Sequence, residues 1–288
     1  MFHILEQPAE FTEGHPTQKK WEGEEFVARP VSNTLGRAVG IIRLMVQSGA
    51  PDRTWGVREL ATELSLPPSG VHRVLSGLTD AEWVARDPSG RGYSLGPDFM
   101  RLSFLVTDSH PLRHIARPVM EDLVAECDET VLLGVLDPTH LKMTFAASVE
   151  SSNPLRYVVE LNRWIPIHYS ASGLGIMAFL PESRREEILE TAHLPGAHEH
   201  TITDPNKIRD EIAKIQAQGY AISSGQRLLD AVGIAAPIFG PNGAVLGNFC
   251  ITVPKQRFAG AADETRLSQA AIRHAGRITS MLTKGHRE

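Results

Sequence analysis

The stretch Leu64-Ser65-Leu66-Pro67-Pro68-Ser69-Gly70-Val71-His72-Arg73-Val74-Leu75-Ser76-Gly77-Leu78 constrains the chain more than any other. Two adjacent prolines cannot continue a helix, but they suit a turn followed by a first helical turn. Beyond them, Val71, Val74, Leu75 and Leu78 recur at i, i+3, i+4 and i+7, the stripe of a helix packed along one side. Ser69, Gly70, His72, Arg73 and Ser76 fall on the other side, where every residue is small or able to hydrogen-bond. A helix that enters a DNA groove needs this division. An ordinary amphipathic surface helix shows it too, so the flanks must decide.

Upstream, Ser32 or Asn33 can cap a helix carrying Leu35, Val39, Ile42 and Val46, which ends near Ser48-Gly49. Val57, Leu60, Ala61 and Leu64 mark a second, shorter helix, so the first stretch becomes the third of three. Downstream, Trp83-Val84-Ala85-Arg86 and Tyr93-Ser94-Leu95 flank a turn, Asp87-Pro88-Ser89-Gly90-Arg91-Gly92, which is a β-hairpin signature. Three helices and a hairpin make a winged helix-turn-helix over residues 32–95. Its expected DNA-facing residues are Ser69, Gly70, His72, Arg73 and Ser76, with Arg86 and Arg91 placed on the hairpin for phosphates or the minor groove. The expected partner is double-stranded operator DNA. The net charge of the whole chain is −5, so its positive surface must be local.

Residues 1–31 read as a flexible, mildly acidic tail broken by Pro8, Gly14, Pro16, Gly23 and Pro30. Residues 96–113 read as a linker helix broken by Pro111. A second domain, 114–288, opens with a helix that has Pro118 near its start. Strand-like runs follow at 130–136, 141–147 and 155–161. Then come a buried helix over Ser170–Leu180, an exposed helix over Pro181–Thr191, and one capped by Asp204 with Pro205 in first position and Gly219 at its end. Strands at 232–239 and 244–253 and a helix over Ala261–Leu282 complete the chain. The fold class is α+β, with the second domain of mixed strand and helix. No apolar run approaches the ~18 residues that span a bilayer, and Met1–Leu5 has no signal-peptide character. Cys127 and Cys250 form no redox or metal motif, so the expected setting is the cytoplasm.

In the last strand Leu246, Asn248, Cys250 and Thr252 share one face, while Ala231, Gly233, Ala235 and Pro237 line a nearly bulk-free face of its neighbour. The buried helix begins Ser170-Ala171-Ser172-Gly173, and its free N–H groups offer a seat for an anion. These features describe either a pocket for a small carboxylate or a close sheet–helix contact. Enzyme readings find little support. Cys250 with His168 lacks a local motif, and His193, His198, Glu199 and His200 match no standard zinc spacing. No catalytic residue, metal site or cofactor is expected. A metabolic enzyme and a winged-helix interaction scaffold stand as alternative readings.

From Ser32 onward the sequence resembles the IclR family of bacterial transcriptional regulators. The resemblance is carried by Leu66-Pro67-Pro68-Ser69-Gly70-Val71-His72-Arg73-Val74-Leu75, Gly92-Tyr93-Ser94-Leu95-Gly96, Ala116-Arg117-Pro118-Val119-Met120, Pro166-Ile167-His168, Thr201-Ile202-Thr203-Asp204-Pro205, Gly219-Tyr220-Ala221 and Gly233-Ile234-Ala235-Ala236-Pro237-Ile238, in this order. It implies a GAF-like C-terminal domain that binds a small organic, often aromatic, acid. It also implies homodimers, often paired as dimers of dimers, and a repressor of a catabolic operon. The family's usual Lys-Ser-Thr-x-x-Arg at the recognition helix is replaced here by Pro68, Ser69, Gly70 and Arg73. The implied effector site includes Ser170, Ala171 and Ser172, with Ser223 in place of the usual acid, Gly233 in place of a frequent Cys, and Cys250 and Thr252 in place of two serines. Tyr157 and Trp164 lie in a segment that lines or covers the pocket in relatives. These departures imply a larger, less polar effector than glyoxylate or pyruvate.

Overall fold

The computed structural model describes residues 33–48, 53–108, 111–191 and 194–284. The expected tail, 1–31, lies outside the described residues. The first helix, α1 (Thr34–Gln47), is capped by Asn33, whose side chain accepts the Gly36 N–H at 2.8 Å. Its expected apolar stripe splits. Ile42 is buried together with Ile41 and Met45, whereas Leu35, Val39 and Val46 are exposed. The helix carries two overlapping apolar strips, and the strip that fits against the third helix is the one that turns inward.

After α2 (Val57–Glu63) the chain turns through Ser65, at φ 52°, into α3 (Pro68–Asp80), with Pro67 as cap and Pro68 in first position. The hairpin strands β1 (Val84–Arg86) and β2 (Tyr93–Leu95) pair antiparallel, and Trp55 bridges to Tyr93 on the open side of β2. These elements share one core, which includes Ile41, Met45, Trp55, Leu60, Val71, Leu75 and Val84.

Two helices follow, α4 (Pro97–Asp108) and α5 (Pro111–Cys127). Pro111 therefore starts a helix rather than breaking one, because its fixed φ and missing N–H suit the first position. Pro118 lies inside α5 rather than near its start, where it costs one helical hydrogen bond. Burial of Leu112, Ala116, Val119, Met120 and Leu123 along one side offsets that loss.

The remaining elements are β3 (Thr130–Asp137), β4 (Lys142–Val149), β5 (Ile165–Pro166), α6 (Ser170–Met177), α7 (Glu182–Leu189), α8 (Pro205–Gln218), β6 (Ala221–Ser224), β7 (Ala231–Phe239), β8 (Val245–Pro254) and α9 (Ala261–Lys284). The six strands β3–β8 form one antiparallel sheet in the order β5-β4-β3-β8-β7-β6. Phe249, Ile251 and Val253 of β8 and Ile234, Ala236 and Ile238 of β7 join the core beneath α5 and α9. Cys250 and Ala235 face the opposite core, with α6 and α8. From Gly247 onward the period-2 alternation read along these strands is thus the division between the two layers of helix; before it, a register shift between Ile238 and Phe239 turns Val245 to the α6 side and Leu246 to the α5 and α9 side, the reverse of the expected faces.

Two expectations fail here. Residues 155–161 form no strand: Leu155 and Val158 are exposed, and the β4 edge is met instead by the two residues of β5. Pro166 suits that edge, where no strand lies beyond it to need its missing N–H. Conversely, β6 gave no strand signal, being four residues long and half polar. The cap of α8 is as expected: Asp204 accepts the Asn206 N–H at 2.8 Å, and Gly219 closes the helix at φ 81°.

Candidate functional site

Two places combine exposed or cavity-facing polar groups with a rigid support. The first is α3 and the hairpin. Val71, Val74 and Leu75 fix α3 to the core, which leaves Ser69, His72, Arg73 and Ser76 exposed on its outer side. Arg86 and Arg91 are exposed at the hairpin ends. The side chains of His72, Arg73, Arg86 and Arg91 form no ion pair with any described residue. Gly70 is half-buried rather than presented outward, because Arg37 of α1 lies over it. A methyl group built at Gly70 would come within 3.4 Å of an Arg37 guanidinium nitrogen. Sequence reading missed Arg37, since its position on α1 gives no sign that it reaches the start of α3. It also passed over Trp55, which extends the hairpin, and Arg53, whose guanidinium lies 3.9 Å from the Trp55 ring centroid.

The second place lies between the start of α6 and the sheet. Every residue of α6 is buried, and Gly175 lets the helix approach Ala235 and Ala221 closely. Asn248 fixes its level by donating from Nδ2 to the Ser172 carbonyl at 2.6 Å. The sheet registers Ser223 opposite Gly233, Gly233 opposite Thr252, and Ala235 opposite Cys250. A cavity opens there, and Ser170, Ala171, Ser172, Ser223, Gly233, Cys250 and Thr252 all line it. The room left for solvent is about 40 Å³, enough for a few water molecules. A ligand the size of an aromatic acid therefore needs the walls to move.

Tyr157 and Trp164 do not line this cavity. Trp164 is 58% exposed, and Tyr157 is half-buried, its hydroxyl pKa raised by burial and by the nearby Asp230. Residues 155–161 form no strand with the sheet, although Val159 and Leu161 pack against the core on the α6 side. The wall instead includes Leu132, Phe145, Gln226 and Arg227, none of which was singled out from sequence. The available signal was the polar run Ser223-Ser224-Gly225-Gln226-Arg227 between two strands, invisible while β6 went unrecognised.

The helix start is not the open anion seat expected from its sequence. The Ser170 N–H donates to Gln226 Oε1 at 3.0 Å, and the Ala171 N–H donates to Ser223 Oγ at 2.8 Å. Side chains from β6 and the loop after it thus occupy the first two donors of α6. Burial pushes the Cys250 thiol up to about 11, and burial also raises the Tyr169 hydroxyl, so both are neutral at physiological pH. A protonated Cys250 is no nucleophile. His168 turns Nε2 to the Pro195 carbonyl at 2.9 Å. His198 and His200 stack edge-on, His193 lies outside the described residues, and no metal-binding cluster of three occurs among the described residues. No helix among them is long and apolar enough to cross a membrane.

This pairing of a helix-turn-helix with a second domain of strand and helix recurs in known proteins. The family model described as the IclR helix-turn-helix domain matches residues 34–88, and that of the bacterial transcriptional regulator IclR C-terminal matches residues 104–280. The HTH-type transcriptional regulator KipR of Bacillus subtilis (strain 168) is 30% identical over 227 residues, spanning 79% of this chain and 88% of that protein. The transcriptional repressor IclR of Escherichia coli (strain K12) is 24% identical over 72% of this chain and 74% of its own length. Among solved structures, an IclR homolog from Microbacterium hydrocarbonoxydans complexed with 4-hydroxybenzoate superposes with a TM-score of 0.74 at 25% identity, covering 88% of this chain and 100% of that one. Both family models fall on the elements built above, the first on α1 to β1 and the second on the sheet and its helices. The chain belongs to the IclR family of transcriptional regulators, with an N-terminal helix-turn-helix and a C-terminal effector-binding domain, and is not an enzyme.

Proposed function

We propose that this regulator is a homodimeric repressor whose hold on operator DNA is set by a small organic acid bound at the start of α6. The cavity carries the proposal: its walls combine small and polar residues with the larger apolar Leu132 and Phe145, it lies on the rigid sheet, and it is the place where α6, β6, β7 and β8 meet. An aromatic acid is the first candidate class, as in the relative complexed with 4-hydroxybenzoate. The proposed effector contacts are Ser170, Ala171, Ser172, Ser223, Gly233, Cys250 and Thr252. The proposed DNA contacts are Ser69, His72, Arg73, Ser76, Arg86 and Arg91, with Gly70 as spacer for Arg37.

Residues 32–95 serve as the DNA-binding unit, 96–113 as the linker and 114–288 as the effector unit, acting in the cytoplasm. The exposed apolar residues Leu35, Val39 and Val46 on α1, and Phe104, Leu105 and Val106 on α4, supply the surface on which two copies pair, and two dimers then associate. A two-fold dimer presents two α3 helices to half-sites spaced by about one helical turn, ~10 base pairs, or a multiple of it. A ligand that fits one spacing better shifts the population of dimers, and by linkage DNA changes ligand affinity equally.

The test is capture of genomic fragments by the purified protein, followed by release with a panel of organic acids. One acid class releasing a defined operator supports the proposal. Capture that no acid alters contradicts effector control, and absence of sequence-selective capture contradicts the DNA reading.

A further inference from the structure

The cavity carries a positive charge that no carboxylate among the described residues balances. Arg227 lines it, with its guanidinium 4.7 Å from the centroid of the Phe145 ring. No carboxylate among the described residues lies within ion-pairing distance of Arg227. The two ionisable groups that interact with it, the Cys250 thiol and the Tyr169 hydroxyl, stay protonated at physiological pH because burial raises both. Part of Arg227 still meets the cavity, yet protein atoms crowd the guanidinium enough to lower its pKa. A cation in such surroundings is costly unless a partner arrives.

Resting on the effector reading above, we infer that Arg227 is the charge-selecting residue of the pocket, holding the carboxylate of a monoanionic ligand through its planar fork. The first two N–H donors of α6 are already taken by Gln226 and Ser223, so an arriving anion meets Arg227 before it meets the helix. The guanidinium fork fits a carboxylate bidentately, which an ammonium does not. The Phe145 face beneath it keeps the fork level and gives the ligand body an apolar neighbour. The small free volume favours a planar carboxylate over a tetrahedral phosphate ester. Gln226 and Ser223 then act as internal stand-ins, which an incoming carboxylate either displaces from α6 or hydrogen-bonds through.

The experiment compares acids with their neutral amides on the full chain. Thermal shift and calorimetry are run with acetate, acetamide, benzoate and benzamide on the wild type and on Arg227→Met and Arg227→Lys. The expected result is a preference of about tenfold or more for at least one acid over its amide in the wild type. That preference vanishes in Arg227→Met and is partly kept in Arg227→Lys. The ligand-free Arg227→Met protein should melt no lower than the wild type, since an unbalanced cation has been removed. Acid preference that survives in Arg227→Met overturns the assignment of Arg227 and leaves the effector reading intact. A wild type that binds amides as well as acids overturns the charge argument in the same way. A wild type shifted by none of the four overturns both readings together.

Discussion

Gly233 sits where the pocket and the sheet compete for space, so Gly233→Ala separates ligand binding from folding. A methyl group built there lies 3.4 Å from Ala171 Cβ, 3.7 Å from Ser223 Oγ and 3.9 Å from Cys250 Sγ. These are contacts rather than collisions. The backbone gains from losing a glycine in a strand interior, by roughly 0.5–1 kcal/mol. The tight approach to Ala171 offsets part of this, so stability should change by less than about 1 kcal/mol. The effect on a ligand is different. The cavity has about 40 Å³ of room, and the new methyl lies between three of its lining residues. Forcing an acid in beside it costs about 1–3 kcal/mol of overpacking, a loss of roughly five- to 150-fold in affinity. Calorimetry on the variant reads the loss, thermal melts read the stability, and operator release should need correspondingly more acid. Unchanged acid affinity, or a melt lowered by many degrees, would refute the placement of Gly233 in a ligand-accessible wall.

Arg73→Ala should abolish sequence preference on DNA while leaving residual non-specific binding. Arg91→Ala should weaken all sequences alike and flatten the salt dependence of binding by about one phosphate contact; competition titrations at several salt concentrations distinguish the two. Val39→Glu places a charge on the exposed apolar strip of α1 and should shift the protein toward monomer in analytical ultracentrifugation without lowering its melting temperature. Asn248→Ala removes the buried bond to the Ser172 carbonyl and should cost about 1–3 kcal/mol in denaturant melts. Burial holds both Cys127 and Cys250 at a pKa of about 11, against 9.0 for a free thiol. The raised folded values favour the protonated thiols, so their stabilising contribution is complete below pH 9 and fades as pH rises from about 9 to 11. Iodoacetamide at pH 8 should therefore label both thiols only as fast as the chain unfolds.

The elements whose local chemistry is self-contained were legible from sequence. The Pro67-Pro68 turn, the Asn33 and Asp204 caps and the terminal Gly219 each depend on residues a few positions away, and each formed where expected. So did the alternation along β7 and along β8 from Gly247 onward, because helices cover both faces of the sheet and every second residue reports its layer; it fails at the start of β8, where Val245 and Leu246 exchange layers at the register shift opposite Ile238 and Phe239. What failed depended on distant partners. Which strip of α1 turns inward is decided by α3. Residues 155–161 alternate like a strand but meet no partner, while β6 owes its existence to the β7 edge it pairs with. The pocket was half legible for the same reason. Small residues on β7, β8 and α6 announced the space, but the groups that fill it arrive on β6 and the loop after it. Ser223 and Gln226 satisfy the very N–H donors that a sequence reading leaves open.

The central claim is that an acid in the α6 cavity governs what α3 does on DNA. Selection of duplexes from a random-sequence pool, run in parallel without ligand and with whichever acid shows the largest thermal shift, tests it most directly. The account predicts an enriched two-fold site with half-sites spaced by about a helical turn, ~10 base pairs, or a multiple of it. Its enrichment should change at least several-fold with the acid in the wild type, and far less in Gly233→Ala at the same concentration. Enrichment of a defined site that is indifferent to every acid bound by the protein would contradict the claim.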